Sequence, residues 1–207
     1  MNLNDFNSLV DLFFHQAEKQ NPASIFLEWL NPKNKKKLTW GETSSNIYKL
    51  AKILKENIVD GDRCLLVSEN RPEWLISDIA IMLANGITVP VYTTYTEKDY
   101  KYLIEDCQPS VIIVSNDEMH NKLKNIIKEK DFIKKVITFE KIQEADYNNK
   151  YLDFNFIIKN NSQAYDKFKN LDLKRNSPAC IIYTSGTGGD PKGVILSHGG
   201  ILNNLEG

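Results

Sequence analysis

Cysteine is scarce in this 207-residue chain, and the three present, Cys64, Cys107 and Cys180, lie far apart. No CxxC pair occurs and no two histidines stand at ligand spacing, so neither a disulfide framework nor a zinc site is written into the sequence. Buried free thiols in a reducing compartment are the reading these cysteines support. Charge of one sign is also missing. The chain has 26 basic and 27 acidic side chains and a net charge of −1, which gives no basis for recruiting nucleic acid or an anionic membrane through bulk charge. The opening stretch MNLNDFNSLVDLFF carries Asp5 and Asp11 and no basic region, unlike a secretory signal. Long apolar runs are absent too. The longest charge-free stretch, 79–96, is interrupted by Asn85, Gly86 and Pro90, whereas a membrane-spanning helix needs about 20 apolar residues. It reads as a helix end, a turn and a buried strand. Repeats and low-complexity tracts do not occur, and the chain reads as cytoplasmic.

What is present is an ordinary globular composition, 42% hydrophobic and 26% charged, in a chain long enough to bury roughly 70% of its unfolded surface. Residues 5–20 place Leu9, Phe13 and Ala17 on one helical face. Segments 24–30 and 37–40 read as a hairpin whose lysine-rich tip, 33–37, is solvated, and 42–57 is again an amphipathic helix. A rhythm then begins. Apolar strands are expected at 63–68, 87–92, 110–115 and 135–139, with helices over 72–85, 97–107 and 117–130 between them. Pro72 suits a first helical turn, Thr96 an N-cap, and Gly86 and Pro109 the stops. Strands that are apolar at consecutive positions are buried on both faces. The expected fold is therefore α/β, with parallel βαβ sheet units covered by helices. Residues 1–60 form a helix and hairpin lead-in and 61–140 the βαβ region. Residues 141–177 form a variable polar excursion with one short helix near 162–171, and 178–207 a final functional region.

That final region carries the chemistry. An apolar strand, ACIIYT, runs into Ser185-Gly186-Thr187-Gly188-Gly189-Asp190-Pro191-Lys192-Gly193. The glycines let the backbone approach an anion, successive N–H groups form an anion-binding concavity, and the hydroxyls of Thr184, Ser185 and Thr187 add donors. Lys192 adds a positive charge. A nucleoside-triphosphatase loop, Gly-x4-Gly-Lys-Ser/Thr, fails at two positions: counted from Gly186, Pro191 takes the place of the second glycine and Gly193 that of Ser/Thr. A Gly-x-Gly-x-x-Gly dinucleotide fingerprint fails at Pro191. A polyphosphate loop of another type remains.

The run Tyr183 to Gly193 (YTSGTGGDPKG) resembles the phosphate-loop signature of the adenylate-forming superfamily, whose usual pattern is Thr-Ser-Gly-Thr-Thr-Gly-x-Pro-Lys-Gly; Gly188 here replaces a threonine. Upstream, SENRPEW at 68–74 and NGITVPVY at 85–92 resemble the long-chain fatty acyl-CoA synthetase branch. The resemblance implies that the chain is part of the large N-terminal domain of such an enzyme. It implies ATP-dependent activation of a carboxylic acid, a long-chain fatty acid, to acyl-AMP and then acyl-CoA. Thr184, Ser185, Gly186, Thr187, Gly188, Gly189, Lys192 and Gly193 would hold the β- and γ-phosphates. Tyr183 and His198 would lie toward the acyl-adenylate pocket. ATP and CoA are implied as co-substrates and Mg2+ as a cofactor, with the Mg2+ ligand outside this chain. The catalytic residues also follow the phosphate loop in the family, so none is assigned here, and these residues are expected to be inactive alone. A fatty substrate implies a peripheral encounter with a membrane, although no basic amphipathic helix supports one. Three alternatives stay open: an aryl-CoA ligase, a peptide-adenylation domain, or a non-catalytic nucleotide-binding module. Arg71 is expected to pair with Glu69 or Glu73, Trp74 to be structural, and His15 and His120 receive no role.

Overall fold

The computed structural model describes residues 2–30, 35–143, 145–147, 149–162, 168, 172–184 and 190–205. A short 3-10 turn leads into helix α1 (Leu9–Lys19), which Ser8 caps by accepting the N–H of Asp11. Strands β1 (Ile25–Trp29) and β2 (Lys36–Thr39) form an antiparallel hairpin. Helix α2 follows without a break over Trp40–Lys55. Trp40, expected to end the second strand, instead opens the helix. Thr39 and Glu42 make a reciprocal capping box there, and the indole stacks on Phe26 at a centroid distance of 3.8 Å.

The central sheet contains β3 (Arg63–Val67), β4 (Ile87–Val91), β5 (Val111–Val114), β6 (Lys135–Thr138), β7 (Tyr151–Asp153), β8 (Pro178–Thr184) and β9 (Lys192–Ser197). Its spatial order is β7-β6-β5-β3-β4-β8-β9, parallel throughout except for the β8–β9 pair. Helices α3 (Pro72–Leu83), α4 (Glu97–Cys107) and α5 (Asp117–Glu129) make the crossovers. The chain steps from β3 to β4 on one side and then returns to place β5 on the other, so strand order reverses at β3. Alternate residues of β3 explain its continuous apolar run: Cys64 and Leu66 pack with α2 and α3, while Leu65 and Val67 pack with α4 and α5. The mostly parallel α/β sheet under helices is the architecture the sequence predicts.

Three details differ from expectation. Helix α3 is stopped by Asn85, which takes the left-handed conformation (φ 63°), and not by Gly86. Gly86 is required for space, since a Cβ there would sit 2.9 Å from Ile58 Cδ1. Likewise Gln108 (φ 45°) turns the chain at the end of α4, ahead of Pro109. The polar excursion holds regular structure: β7 extends the sheet beside β6, and α6 (Phe154–Asn160), capped by Asp153, buries Phe154 and Ile157 against the core. Most of the short helix expected at 162–171 lies outside the described residues, although Phe168 is buried in the core. The last described helix, α7 (His198–Asn204), is capped by Ser197. Among the described residues, no helix is long and apolar enough to cross a membrane.

Candidate functional site

Strands β8 and β9 form a hairpin whose two limbs are in register, with Tyr183 opposite Gly193 and Thr184 opposite Lys192. The Thr184–Lys192 pair closes the glycine-rich loop, and both side chains are exposed. Ser185, Gly186, Thr187, Gly188 and Gly189, named above as phosphate ligands, lie outside the described residues. Gly193 has a packing reason of its own. A Cβ at this position would meet Ile181 Cγ2 at 2.9 Å and Tyr183 Cζ at 3.2 Å, so its absence lets the Tyr183 ring lie across the neighbouring strand.

The loop stems emerge beside a cleft of about 450 Å³ at the carboxyl ends of β3, β4 and β8. Open α/β sheets bind ligands at this end of their strands. Ser68, Glu69 and Asn70 line one wall, Pro90 to Thr93 and Tyr95 another, and Ile182 and Tyr183 the side nearest the loop. Trp74, expected to be structural, also reaches this cleft while packing on the core. Tyr183 is buried, and its O–H donates to the Asp106 carboxylate. Burial and that carboxylate push the phenol's pKa up, so it is a neutral donor near pH 7.

His198 is placed differently from Tyr183. It is not among the residues lining the cleft; it is buried at the start of α7, and its Nδ1 accepts the N–H of Leu9 at 3.3 Å. Burial lowers its pKa to about 4, so the ring is neutral at pH 7, and the Nδ1 acceptor role leaves the proton on Nε2.

The SENRPEW segment is organised around Arg71. Its guanidinium is buried, bonding Glu73 at 2.9 Å, Glu140 at 2.9 Å and Glu69 at 3.2 Å, and lying over the rings of Trp29 and Phe139. The expected ion pairs with Glu69 and Glu73 are both present. Lys36 also reaches Glu73 at 2.6 Å, so this part of the lysine run is a partner in the network and not a solvated tip. Burial pushes the Glu73 carboxyl up, but hydrogen bonds from Lys36 and Arg71 outweigh that and hold it below the usual range. The network holds Glu69 at the rim of the cleft.

Sequence reasoning did not single out Asp106, Tyr102 or Asp78. The Tyr102 O–H donates to the Pro191 carbonyl at 2.9 Å. Asp78, on α3, faces Thr88 of β4 and Cys180 of β8, and burial pushes its carboxyl up to about 6. The spacing of Tyr102 and Asp106 one helical turn apart was available as a signal; nothing in the sequence marks Asp78. His120 bonds the Tyr151 hydroxyl at 2.9 Å, and His15 packs edge-on to Phe6. All three cysteines are free thiols. Among the described residues, no group of three or more His, Cys, Asp or Glu side chains could hold a metal ion, so no metal ligand is assigned.

The model of the AMP-binding enzyme family matches residues 13–207. The chain belongs to that family. It is 31% identical over 198 residues to the mouse (Mus musculus) long-chain-fatty-acid–CoA ligase ACSBG2, covering 94% of this chain and 30% of that protein. It is 29% identical over 216 residues to the Arabidopsis thaliana long chain acyl-CoA synthetase 3, covering 98% and 32%. The chain thus spans about a third of the length of these relatives. Among solved structures, the anthranilate CoA ligase AuaEII in complex with anthranoyl-AMP superposes with a TM-score of 0.80 at 23% identity, over 96% of this chain and 36% of that one. Apo MatB from Rhodopseudomonas palustris gives a TM-score of 0.73 at 24% identity, again over 96% and 36%. At these identities the two structures speak to the fold, which they share with this AMP-binding chain.

Proposed function

We propose that this AMP-binding chain holds the pyrophosphate end of ATP in an acyl-CoA ligase that activates a long-chain fatty acid to acyl-AMP and then acyl-CoA. The observation that carries this reading is the β8–β9 hairpin. It closes a glycine-rich loop with Thr184 against Lys192, at the carboxyl edge of a parallel sheet and beside a cleft. Attack of a carboxylate on the α-phosphorus builds negative charge on the departing pyrophosphate. Donors already fixed in place stabilise that charge without reorganising. In this reading Thr184, Ser185, Thr187 and the backbone of Gly186, Gly188 and Gly189 supply the donors. Lys192 supplies the cation, and Gly193 keeps the stem packed under Tyr183. Mg2+ would neutralise phosphate charge when bound, and CoA would accept the acyl group.

The choice of a fatty acid rests on the 31% and 29% identities to long-chain ligases, together with the SENRPEW and NGITVPVY segments. Exchange of labelled pyrophosphate into ATP by the full-length enzyme that contains these residues tests it. Stimulation by a long-chain fatty acid and not by an aryl or amino acid is expected. Stimulation by an aryl or amino acid instead would overturn the substrate assignment. The 207 residues by themselves should give no more exchange than their Lys192→Ala variant.

A further inference from the structure

The glycine-rich loop sits on a hairpin at the edge of the sheet, where β8 pairs with β4 and β9 is the last strand. The β8 ladder with β4 registers at Thr88 opposite Cys180, four residues before the loop begins to close at Thr184. Beyond it β9 exposes Val194 and Ile195 and makes no further strand pair among the described residues. Beyond the strand ladder, helix α4 provides two side chains that reach the loop's two stems. The Tyr102 hydroxyl donates to the carbonyl of Pro191, and the Asp106 carboxylate accepts from the hydroxyl of Tyr183.

These two residues are four apart on α4, so they project from one helix face about 6 Å apart along the axis. Their targets flank the closing pair of the hairpin: Tyr183 precedes Thr184 on one limb, and Pro191 precedes Lys192 on the other. Pro191 has no N–H to give to a strand ladder, so its carbonyl is the one backbone hydrogen-bonding group it offers. The helix is itself pinned at its C-terminal end, where Arg63 donates to the carbonyls of Cys107 at 2.7 Å and Gln108 at 3.0 Å. The support therefore runs from β3 through α4 to both sides of the loop.

We propose that Tyr102 and Asp106 are positioning residues for the phosphate loop, setting its affinity for the pyrophosphate end of ATP without touching the nucleotide. This rests on the reading of 184–193 as the pyrophosphate site. Preorganised stems lower the ordering cost of ligand binding, so cutting a stem loose weakens affinity even when the fold is unchanged. Each lost hydrogen bond should weaken binding about fivefold.

Isothermal titration of inorganic pyrophosphate into the 207-residue chain tests the proposal, comparing wild type with Tyr102→Phe, Asp106→Ala, Tyr183→Phe, Asp106→Ala/Tyr183→Phe and Lys192→Ala, each with a melting temperature. Expected is about fivefold weaker binding for Tyr102→Phe and for Asp106→Ala. Tyr183→Phe should match Asp106→Ala, and their double variant should be no weaker than either single, because both remove the same bond. Lys192→Ala must weaken binding in every case if the site is read correctly. If it does while the Tyr102 and Asp106 variants bind like wild type, even with lowered melting temperatures, the positioning role is overturned and the site stands. Losses that multiply in the Asp106/Tyr183 double variant also overturn it. A wild type that does not bind pyrophosphate overturns both readings.

Discussion

At Gly193 a single missing carbon settles how the loop stem packs. The resemblance counts Gly193 among the phosphate-binding residues, and the geometry adds a packing reason: the Tyr183 ring and Ile181 occupy the space a side chain would need. Gly193→Ala is expected to cost about 2 kcal/mol in chemical denaturation, since β8 and β9 must separate to admit the methyl group. The same substitution on an exposed, unconstrained strand would cost nothing. Asp78 is the other residue with a consequence of its own. Its folded pKa of about 6 lies above its ordinary value of 3.8, so ionisation opposes folding. The neutral form is favoured at low pH, and stability falls as pH rises through 6. Asp78→Asn should therefore stabilise the chain by about 2 kcal/mol at pH 7.5, with the gain fading as pH falls toward 4. A gain that is independent of pH would show that the carboxyl is not strained by burial. No pattern in the sequence marks Asp78, because a helix position facing Thr88 and Cys180 becomes special only once three separate elements pack.

At the scale of elements, the βαβ units were legible because their signals are local and agree: apolar runs, the Thr96 capping box and Pro72 at a helix start. Strand β7 and helix α6 were not. Three half-buried residues, Tyr151 to Asp153, form a strand because the β6 edge offers partners, and no local pattern announces that edge. The hairpin β1–β2 was foreseen, but its attachment was not. Lys36 and Trp29 reach Glu73 and Arg71, binding the hairpin to the start of α3 and the rim of the cleft. Removing the guanidinium leaves Glu73 buried with Lys36 as its remaining partner. Arg71→Ala is expected to destabilise by about 3 kcal/mol in urea titration. Arg71→Ala in a Glu73→Gln background should cost distinctly less, because the stranded charge is then gone.

For the molecule as a whole, the first residues are bound to the last described elements. Arg175 donates to the carbonyls of Leu3 and Phe6, and His198 accepts from Leu9, joining the N-terminal segment to the base of the β8–β9 hairpin. The β8–β9 hairpin is thus braced at its base by the N-terminal segment and at its stems by α4. The fold, its family and the two strands that flank the loop could be read from sequence, since motif and periodicity are local. The cleft walls, the position of His198 at the N-terminus and the α4 contacts depend on strand order, and only the folded chain shows them. In the proposed function residues 184–193 recognise pyrophosphate and not the nucleoside, and phosphorus NMR of ATP and of AMP, each titrated with the chain and with Lys192→Ala, distinguishes the two. The β- and γ-phosphorus signals of ATP are expected to shift and broaden with wild type, the effect to weaken about tenfold or more in the variant (about the energy of a charge-assisted contact), and AMP to stay unperturbed. AMP binding as tightly as ATP, or a Lys192→Ala chain that perturbs ATP like wild type, would contradict it.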